Sequence, residues 1–274
     1  MLRCRGWPLW QTERMPSRQE QAEDLAPATI SESDGVRYLH LGTPWVQGAM
    51  RIRKPQALEL EYIQRMMAWM LFRPTEELCQ GHAVQLGMGA AAITRFTHSV
   101  MKMRTTVVEL NPTVIGVCRL WFKLPEEGAR FKVLNMDAAE FAADADQHGS
   151  VDALCVDLYD HEAASPVLDS AAFYRDCRRL LSDGGVMSVN LFGRDASFER
   201  SASRIATAFG RDQVRTLRPT REGNTIVVAL KGAGMPDRDE LAARAENIET
   251  RFQLPARKWL RMIRVLPAEP GLNT

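Results

Sequence analysis

Residues 83–111 read AVQLGMGAAAITRFTHSVMKMRTTVVELN and decide the fold of this chain. A short apolar run at 83–86 precedes a turn with Gly87 and Gly89, a helical segment, and a β-branched run that ends near Glu109. This order is typical of a βαβ unit, in which glycines let the backbone approach a ligand closely. An acid about 20 residues after the turn can accept hydrogen bonds from ribose hydroxyls. The segment therefore predicts a site for an adenosine-containing small molecule.

The composition is that of an ordinary globular protein, with 274 residues, 45% hydrophobic and 25% charged. The formal net charge of +1 indicates neither nucleic acid nor a membrane surface as a partner. No apolar run approaches the ~20 residues of a membrane-spanning helix, and the N-terminus lacks the apolar segment of a secretory signal. The five cysteines form no C-x-x-C pair. This usage predicts a reducing, cytoplasmic compartment and no metal site.

The pattern along the chain predicts four segments. They are a flexible N-terminal tail at 1–34, a small β region and helix at 35–80, a Rossmann-like nucleotide-binding catalytic domain at 81–232, and a C-terminal helix and tail at 233–274. Strands and helices alternate from residue 83 onward, which predicts a doubly wound α/β sheet. The last two predicted strands, 213–219 and 224–230, are joined by a turn short enough for a hairpin. We therefore expect an antiparallel last strand at one edge.

The remaining elements follow from periodicity and from stop signals. Strands are predicted at 105–110, 130–135, 151–157 and 185–191, and helices near 90–102, 112–123, 137–146, 170–182, 195–209 and 237–264. A hairpin is expected within 36–53 and an amphipathic helix from Pro55 onward. Asn111 and Pro112 are a good helix start, and the sequence Asp183-Gly184-Gly185 is expected to end the helix at 170–182.

Ligands of open α/β sheets bind outside the carboxyl ends of the strands, so polar residues directly after apolar runs are candidates. They are Gly87, Gly89, Glu109, Asp137, Asp157 and Asp160. Glu109 is the ribose candidate, since its two oxygens can accept from both hydroxyls. Asp157 and Asp160 follow a buried strand. A carboxylate at 157 can hold a cationic amine or take its proton as it attacks; the alternative is an acidic loop in which Tyr159 packs.

Asp137 opens a predicted helix and has two interpretations. A helix N-cap needs no further function, because capping alone stabilises by roughly 1 kcal/mol. Alternatively, the Asp137 carboxylate contacts the exocyclic amine of adenine while the Ala138 amide meets a ring nitrogen. The two interpretations are compatible, and both stay open at this point.

Between about residues 35 and 232 the chain resembles the spermidine synthase (polyamine aminopropyltransferase) family. The similar stretches are VVELNPTVIGVCRLWFKLP, NMDAAEF, SAAFYRDCRRLLSDGGVMSVNL and, upstream, LHLGTPWVQGAM and ELEYIQRMMAW. The resemblance implies a class I methyltransferase-like Rossmann domain behind a small N-terminal β-domain. It also implies a homodimer.

The resemblance further implies a reaction and a role for each candidate residue. An aminopropyl group would pass from decarboxylated S-adenosylmethionine to a small-molecule amine, by in-line displacement at the carbon next to sulfur. Glu109 would bind the ribose and Asp137 the adenine. Asp157 would be the general base, Asp160 would hold the polyamine, and Tyr62 would line the substrate channel, with Tyr159 as a further substrate-binding candidate.

One departure from the family pattern leaves two rivals. The family carries an aspartate in its glycine loop that grips the ammonium of the donor, and here Ala90 occupies that position. A first rival is an S-adenosylmethionine-dependent methyltransferase with an unknown acceptor, in which Arg95 or Lys102 would serve the carboxylate of the donor. A second rival is a catalytically inactive nucleotide-binding scaffold, which would bind ligand without turnover.

Overall fold

The computed structural model describes residues 25–159, 166–192, 196–232 and 234–266. In this part of the chain an eight-stranded sheet carries helices on both faces, and a three-stranded sheet lies beside it. The predicted Rossmann-like α/β fold class is confirmed. None of the helices in the described ranges is long and apolar enough to span a membrane.

The small sheet consists of β1 (Ala28–Ser33), β2 (Val36–Leu41) and β3 (Gly48–Arg51), which pair antiparallel in that order. The hairpin of β2 and β3 lies in the region predicted for it. The predicted tail at 1–34 was too long, because β1 begins at Ala28 and pairs with β2 along its whole length. Ile30 packs against the apolar cluster beneath the sheet, and this contact stabilises β1. Residues 1–24 lie outside the described ranges.

The strands of the large sheet are β4 (His82–Leu86), β5 (Arg104–Glu109), β6 (Phe131–Asn135), β7 (Val151–Val156), β8 (Leu181–Phe192), β9 (Val214–Leu217), β10 (Asn224–Leu230) and β11 (Ile263–Val265). They lie in the order β11-β9-β10-β8-β7-β4-β5-β6. Strands β4 to β8 pair parallel, whereas β10 is antiparallel to both β8 and β9. The antiparallel edge expected from the hairpin is therefore present, and β11 extends it by one strand.

The helices are α1 (Glu61–Met66), α2 (Ala92–Arg95), α3 (Pro112–Trp121), α4 (Ala138–Ala143), α5 (Ala171–Leu180), α6 (Ala196–Phe209), α7 (Arg238–Phe252) and α8 (Ala256–Leu260). A 3-10 helix at Met67–Phe72 continues α1, and a π-helical turn at Phe96–Val100 continues α2. Helix α3 begins as predicted, with Pro112 in its first turn and the Asn111 side chain accepting a hydrogen bond from the backbone of Thr113.

Several predicted helices have different bounds in the structure. The helix expected from Pro55 begins only at Glu61, and the segment 90–102 divides into α2 and the π-helical turn. Helix α5 ends at Leu180 because Leu181 is already extended and pairs with β7, so the following glycines lie within β8. The segment 237–264 forms α7, α8 and then β11, because residues 263–265 pair with β9.

Helices cover both faces of the large sheet. Alternate residues of β7 face opposite ways: Cys155 joins the cluster formed with the buried segment 66–72, and Leu154 joins the cluster formed with α5 and α6. A parallel sheet needs this double cover, because both faces of its strands are apolar. Only the strand ends are left to carry polar groups that face a ligand.

A third apolar cluster fixes the small sheet above the glycine turn. Leu39 and Met50 of the small sheet pack there with Met88 and Ala90. A β-carbon added to Gly48 would lie 2.5 Å from the backbone nitrogen of Ala90, so the two backbones are in contact. The hairpin therefore closes one side of the glycine turn.

This contact predicts the effect of one methyl group. Gly48→Ala is expected to lower the free energy of unfolding by about 1–3 kcal/mol, because the added carbon meets rigid backbone. Gly116→Ala is the matched control, since it lies within α3 and its β-carbon would meet nothing within 4 Å. It should leave stability unchanged or raise it by up to about 1 kcal/mol. Urea unfolding of both variants tests the packing, and equal stabilities would contradict it.

Candidate active site

A cavity of about 840 Å³ opens at the carboxyl edge of the parallel strands. It is lined by these residues predicted from the sequence: Tyr62, Gly87, Gly89, Glu109, Asp137, Ala138, Asp157 and Tyr159. They come from five separate places in the chain, and the fold brings them to one edge of the sheet. Asp160 lies outside the described residues, so the structure does not place it.

The glycine turn after β4 is held by close backbone packing and by one buried amide. A β-carbon on Gly87, whose φ is +84°, would lie 2.1 Å from the carbonyl oxygen of Asp157, so this position requires glycine. The Gln85 amide donates to the carbonyls of Gly87 at 2.7 Å and of Met88 at 3.2 Å. Its oxygen accepts from the Thr94 hydroxyl at 2.6 Å. The turn therefore has a fixed shape without a ligand.

Glu109 lies at the end of β5, beside the glycine turn. Its carboxylate accepts hydrogen bonds from the backbone nitrogens of Met88 and Asn111, each at 2.8 Å. Burial raises the pKa of Glu109, and the backbone donors oppose that rise. A carboxylate offers about four lone-pair sites, and these backbone donors do not use all of them. The side chain is thus fixed in the cavity wall and can still accept a hydrogen bond from a ligand.

Asp137 is the N-cap of α4. Its Oδ1 accepts from the backbone nitrogens of Ala139 at 2.7 Å and Glu140 at 3.1 Å. The capping interpretation is therefore correct. Because both bonds use Oδ1, the cap does not occupy Oδ2, and Asp137 lines the cavity together with Ala138.

Asp157 follows β7 and lies between two donors. Its Oδ1 accepts from the Asn190 amide at 2.9 Å, and its Oδ2 accepts from the Tyr62 hydroxyl at 3.3 Å. Burial raises the pKa of the Asp157 carboxyl to about 6, and both donors lower it. A base that titrates close to the working pH suits proton transfer. Burial also raises the pKa of Tyr62, so its hydroxyl remains a donor.

Sequence reasoning missed Asn190, which lies inside the apolar strand β8. A single amide among buried residues was the available signal, since a buried polar group needs a partner. Tyr159 is also tied to this strand: its hydroxyl donates to the Asn190 carbonyl at 3.1 Å and accepts from the backbone nitrogen of Phe192. Tyr159 thus anchors the segment after β7 while its side chain lines the cavity.

The cavity wall is acidic. Within the described ranges, the charged residues that line it are Glu61, Glu109, Asp137, Asp157 and Glu222, with no lysine, arginine or histidine. Such a wall attracts cations and repels anions. No group of three or more potential metal ligands occurs among the residues that the structure describes.

Arg95 and Lys102, considered as partners for a donor carboxylate, do not line the cavity. The buried Arg95 guanidinium points beneath the glycine turn, where it donates to the carbonyls of Pro55 at 2.8 Å and Ala90 at 2.5 Å. Their assignment to a carboxylate-binding role is therefore wrong for this cavity.

Comparison with known proteins identifies the family. Residues 87–207 match the family model for the spermine/spermidine synthase domain. A polyamine aminopropyltransferase of Neisseria meningitidis is 33% identical over 233 residues, which cover 84% of this chain and 86% of that protein. The chain belongs to the spermine/spermidine synthase family. The predicted family and the enzyme class, a transferase, are thereby confirmed.

Solved structures of low identity share the fold of this family member. A probable spermidine synthase from Corynebacterium glutamicum is 19% identical, with a TM-score of 0.68 over 90% of this chain and 94% of that chain. Human methyltransferase-like protein 13, solved in complex with SAH, is 21% identical, with a TM-score of 0.62 over 78% of this chain and 98% of that chain. Proteins named as a probable spermidine synthase and as a methyltransferase-like protein thus share this fold, and the fold alone does not fix the reaction.

The partly buried carboxyl of Asp157 predicts a pH-dependent stability. Because its pKa rises from 3.8 in the unfolded chain to about 6, folding favours the protonated form, and stability is lost as pH increases through that window. Asp157→Asn is therefore expected to raise the free energy of unfolding near pH 8 by about 1–3 kcal/mol. The gain should shrink towards zero as pH falls to about 4. Urea unfolding of the variant and the wild type between pH 4 and pH 8 measures this difference. A variant that is less stable than the wild type at pH 8 would contradict the prediction.

Proposed function

We propose that this transferase moves an aminopropyl group from decarboxylated S-adenosylmethionine to a primary amine of a polyamine. The observation that carries the proposal is the Asp157 carboxylate, fixed by Tyr62 and Asn190 in a cavity whose charged wall is entirely acidic over the described residues. Both substrates are cations, one with a sulfonium and the other with ammonium groups. The carboxylates of the cavity wall attract both.

The nucleoside is proposed to lie across the ends of β4, β5 and β6. Glu109 would accept from the two ribose hydroxyls with the lone pairs that its backbone donors leave. The backbone at Gly87 and Gly89 would lie close to the donor chain. Oδ2 of Asp137 would accept from the adenine amine, and the Ala138 amide would meet a ring nitrogen.

Asp157 is proposed to act as the general base. An ammonium cannot attack, so the acceptor must first lose a proton, and Oδ2 of Asp157 accepts it as the nitrogen approaches. The nitrogen lone pair forms the new bond to the carbon next to sulfur. The carbon–sulfur bond breaks with its electron pair going to sulfur, and the sulfonium becomes a neutral thioether. The leaving group therefore needs no acid, and the remaining contribution of the site is positioning.

The same wall favours the decarboxylated donor over intact S-adenosylmethionine. Two unit charges of like sign 4 Å apart repel by about 4 kcal/mol at an effective dielectric constant of 20. A donor carboxylate would therefore be repelled by the acids, with no cationic side chain among the described lining residues to offset them. Ala90 is buried beneath the hairpin and does not line the cavity. The acids of the wall would hold the donor ammonium instead.

Further proposals concern groups and partners beyond the described cavity. Asp160 is proposed, from the family resemblance, to hold the polyamine, and the Tyr159 side chain to form part of the acceptor wall. The resemblance also supports a homodimer and a cytoplasmic location, and the net charge of +1 supports the absence of a nucleic-acid partner. Light scattering coupled to size exclusion tests the dimer directly.

The role of Asp157 predicts the behaviour of one variant. Asp157→Asn should lower turnover by about 100-fold or more, because the amide cannot accept the proton. Donor binding should be kept, since the amide fits the same space. Release of methylthioadenosine measures turnover, and calorimetry measures binding.

Asp183→Asn is the matched control for this experiment. The Asp183 side chain is 97% exposed, and it lies near the amino end of β8, away from the cavity. The same carboxylate-to-amide change there should leave turnover unaltered. An Asp157→Asn enzyme with wild-type turnover would remove Asp157 from the role of base.

Calorimetric binding of three nucleosides separates the candidate functions. Decarboxylated S-adenosylmethionine should bind at least about tenfold more tightly than intact S-adenosylmethionine, because only the latter brings a carboxylate to the acidic wall. Methylthioadenosine should also bind. Preference for intact S-adenosylmethionine would indicate a methyltransferase, and binding of the nucleosides without turnover would indicate a scaffold.

Glu109→Gln tests the nucleoside pose within the same assay. The substitution should weaken the binding of the decarboxylated donor and of methylthioadenosine by a similar factor, about tenfold. Both ligands carry the ribose that Glu109 is proposed to hold. Unchanged affinities would exclude Glu109 from the site.

A further inference from the structure

A chain of side-chain hydrogen bonds connects the turn between β9 and β10 to Asp157. The Thr220 hydroxyl donates to the Asn224 amide oxygen at 3.4 Å, and the Asn224 amide nitrogen donates to the Asn190 oxygen at 3.2 Å. The Asn190 amide nitrogen then donates to Oδ1 of Asp157 at 2.9 Å. Asn190 and Thr220 are each only 2% exposed, whereas Asn224, between them, is partly exposed and lines the cavity.

The carboxylate at one end fixes the direction of every bond in the chain. An ionised carboxylate only accepts, so Asn190 must turn its NH₂ group towards Asp157 and its oxygen towards Asn224. Asn224 must then present its own NH₂ group, which leaves its oxygen as an acceptor towards Thr220, whose hydroxyl also hydrogen-bonds the Glu222 carboxylate. Both amide donors therefore point towards Asp157, and dipoles aligned in this way strengthen one another in a low dielectric.

We propose that Asn190 and Asn224 are positioning residues that keep Asp157 ionised and reserve its Oδ2 for the acceptor amine. The part of this proposal that concerns Oδ2 rests on the proposed function, in which Asp157 is the general base. Because Oδ1 is occupied by Asn190, rotation of the carboxylate would break a buried hydrogen bond to a charge. The oxygen shared with Tyr62 is the one left for the proton.

The other end of the chain lies in the cavity wall. Thr220 and Asn224 close the turn that contains Glu222, with the Thr220 backbone nitrogen donating to the Asn224 carbonyl at 2.8 Å. Asn224 and Glu222 both line the cavity. The turn that borders the ligand space and the base therefore share one set of bonds, so a change in the turn is transmitted to Asp157 through two amides.

The surroundings of Asp157 set the direction of the expected effect. Burial raises the pKa of this carboxyl to about 6, and the hydrogen bonds from Asn190 and Tyr62 lower it. The other titratable groups near it are Cys155, Tyr159 and Glu109. None of these three donates to it in the described contacts. Loss of Asn190 should therefore raise the pKa of Asp157 further.

The test is a carboxyl carbon-13 NMR titration of the ligand-free full chain, with the Asp157 resonance assigned by its loss in Asp157→Asn. Asn190→Leu, which has a similar volume, should raise the Asp157 pKa by about one unit or more. Asn224→Ala should raise it by less and Thr220→Val by least, since each lies one bond further from the carboxylate.

Ser188→Ala is the matched control. Ser188 lies two residues before Asn190 on the same strand and is fully buried, and its hydroxyl makes no hydrogen bond to the described residues. Its removal should leave the titration of Asp157 unchanged. If Asn190→Leu does not fold, the titrations of Asn224→Ala and Thr220→Val test the proposal instead. Both substitutions lie at the turn between β9 and β10 rather than inside a central strand.

An activity arm separates this proposal from the proposed function. In Asn190→Leu and in Asn224→Ala the acid limb of the kcat/KM profile, which reports the free enzyme, should move to higher pH by the shift that the same variant shows in its titration, with activity recovered at high pH and donor affinity unchanged. An unmoved titration in both variants overturns the proposal. A moved titration in a protein that transfers no aminopropyl group would support the hydrogen-bond chain and reject the base role.

Discussion

Close contact between the backbone at Gly87 and the carbonyl of Asp157 is the constraint on which the site depends. Strand β4 lies between β5 and β7, so its end meets Glu109 on one side and Asp157 on the other. A β-carbon at 87 would force the two strand ends apart. With glycine there, the Met88 amide reaches Glu109 while the Asp157 amide donates to Leu86 at 2.9 Å. The positions of the Glu109 and Asp157 carboxylates are thus both set by one turn.

The carboxylates of the cavity wall are stabilised by neutral hydrogen-bond donors. Burying carboxylates is unfavourable unless donors compensate, and here backbone amides serve Glu109 and Asp137 while Asn190 and Tyr62 serve Asp157. Because neutral donors, rather than lysines or arginines, satisfy these acids, the wall keeps its negative charge. Ionised Asp157 lowers the free energy of unfolding above neutral pH. The same ionised carboxylate is able to accept a proton. Such a conflict between stability and function is typical of active sites.

The small sheet explains why position 90 can be alanine. The hairpin of β2 and β3 lies against the glycine turn so closely that Gly48 contacts Ala90, and the Ala90 carbonyl accepts from the buried Arg95. This position therefore forms part of the packing between the two sheets. In the proposed function, recognition of a cationic donor falls to the acids of the cavity wall, which lie in α1, at the end of β5, at the start of α4, directly after β7 and in the β9–β10 turn.

The sequence by itself determined the alternation of strands and helices, the glycine turn and the acids at the strand ends, because these depend on local periodicity and on residues adjacent to each strand. Since parallel strands end at a common edge, the sequence alone places their acids together. Only the tertiary structure decided the pairing of Tyr62 and Asn190 with Asp157, the extra strands β1 and β11, and the chain through Asn224. These contacts join residues far apart in sequence, and their existence depends on strand register, which the order of residues does not fix.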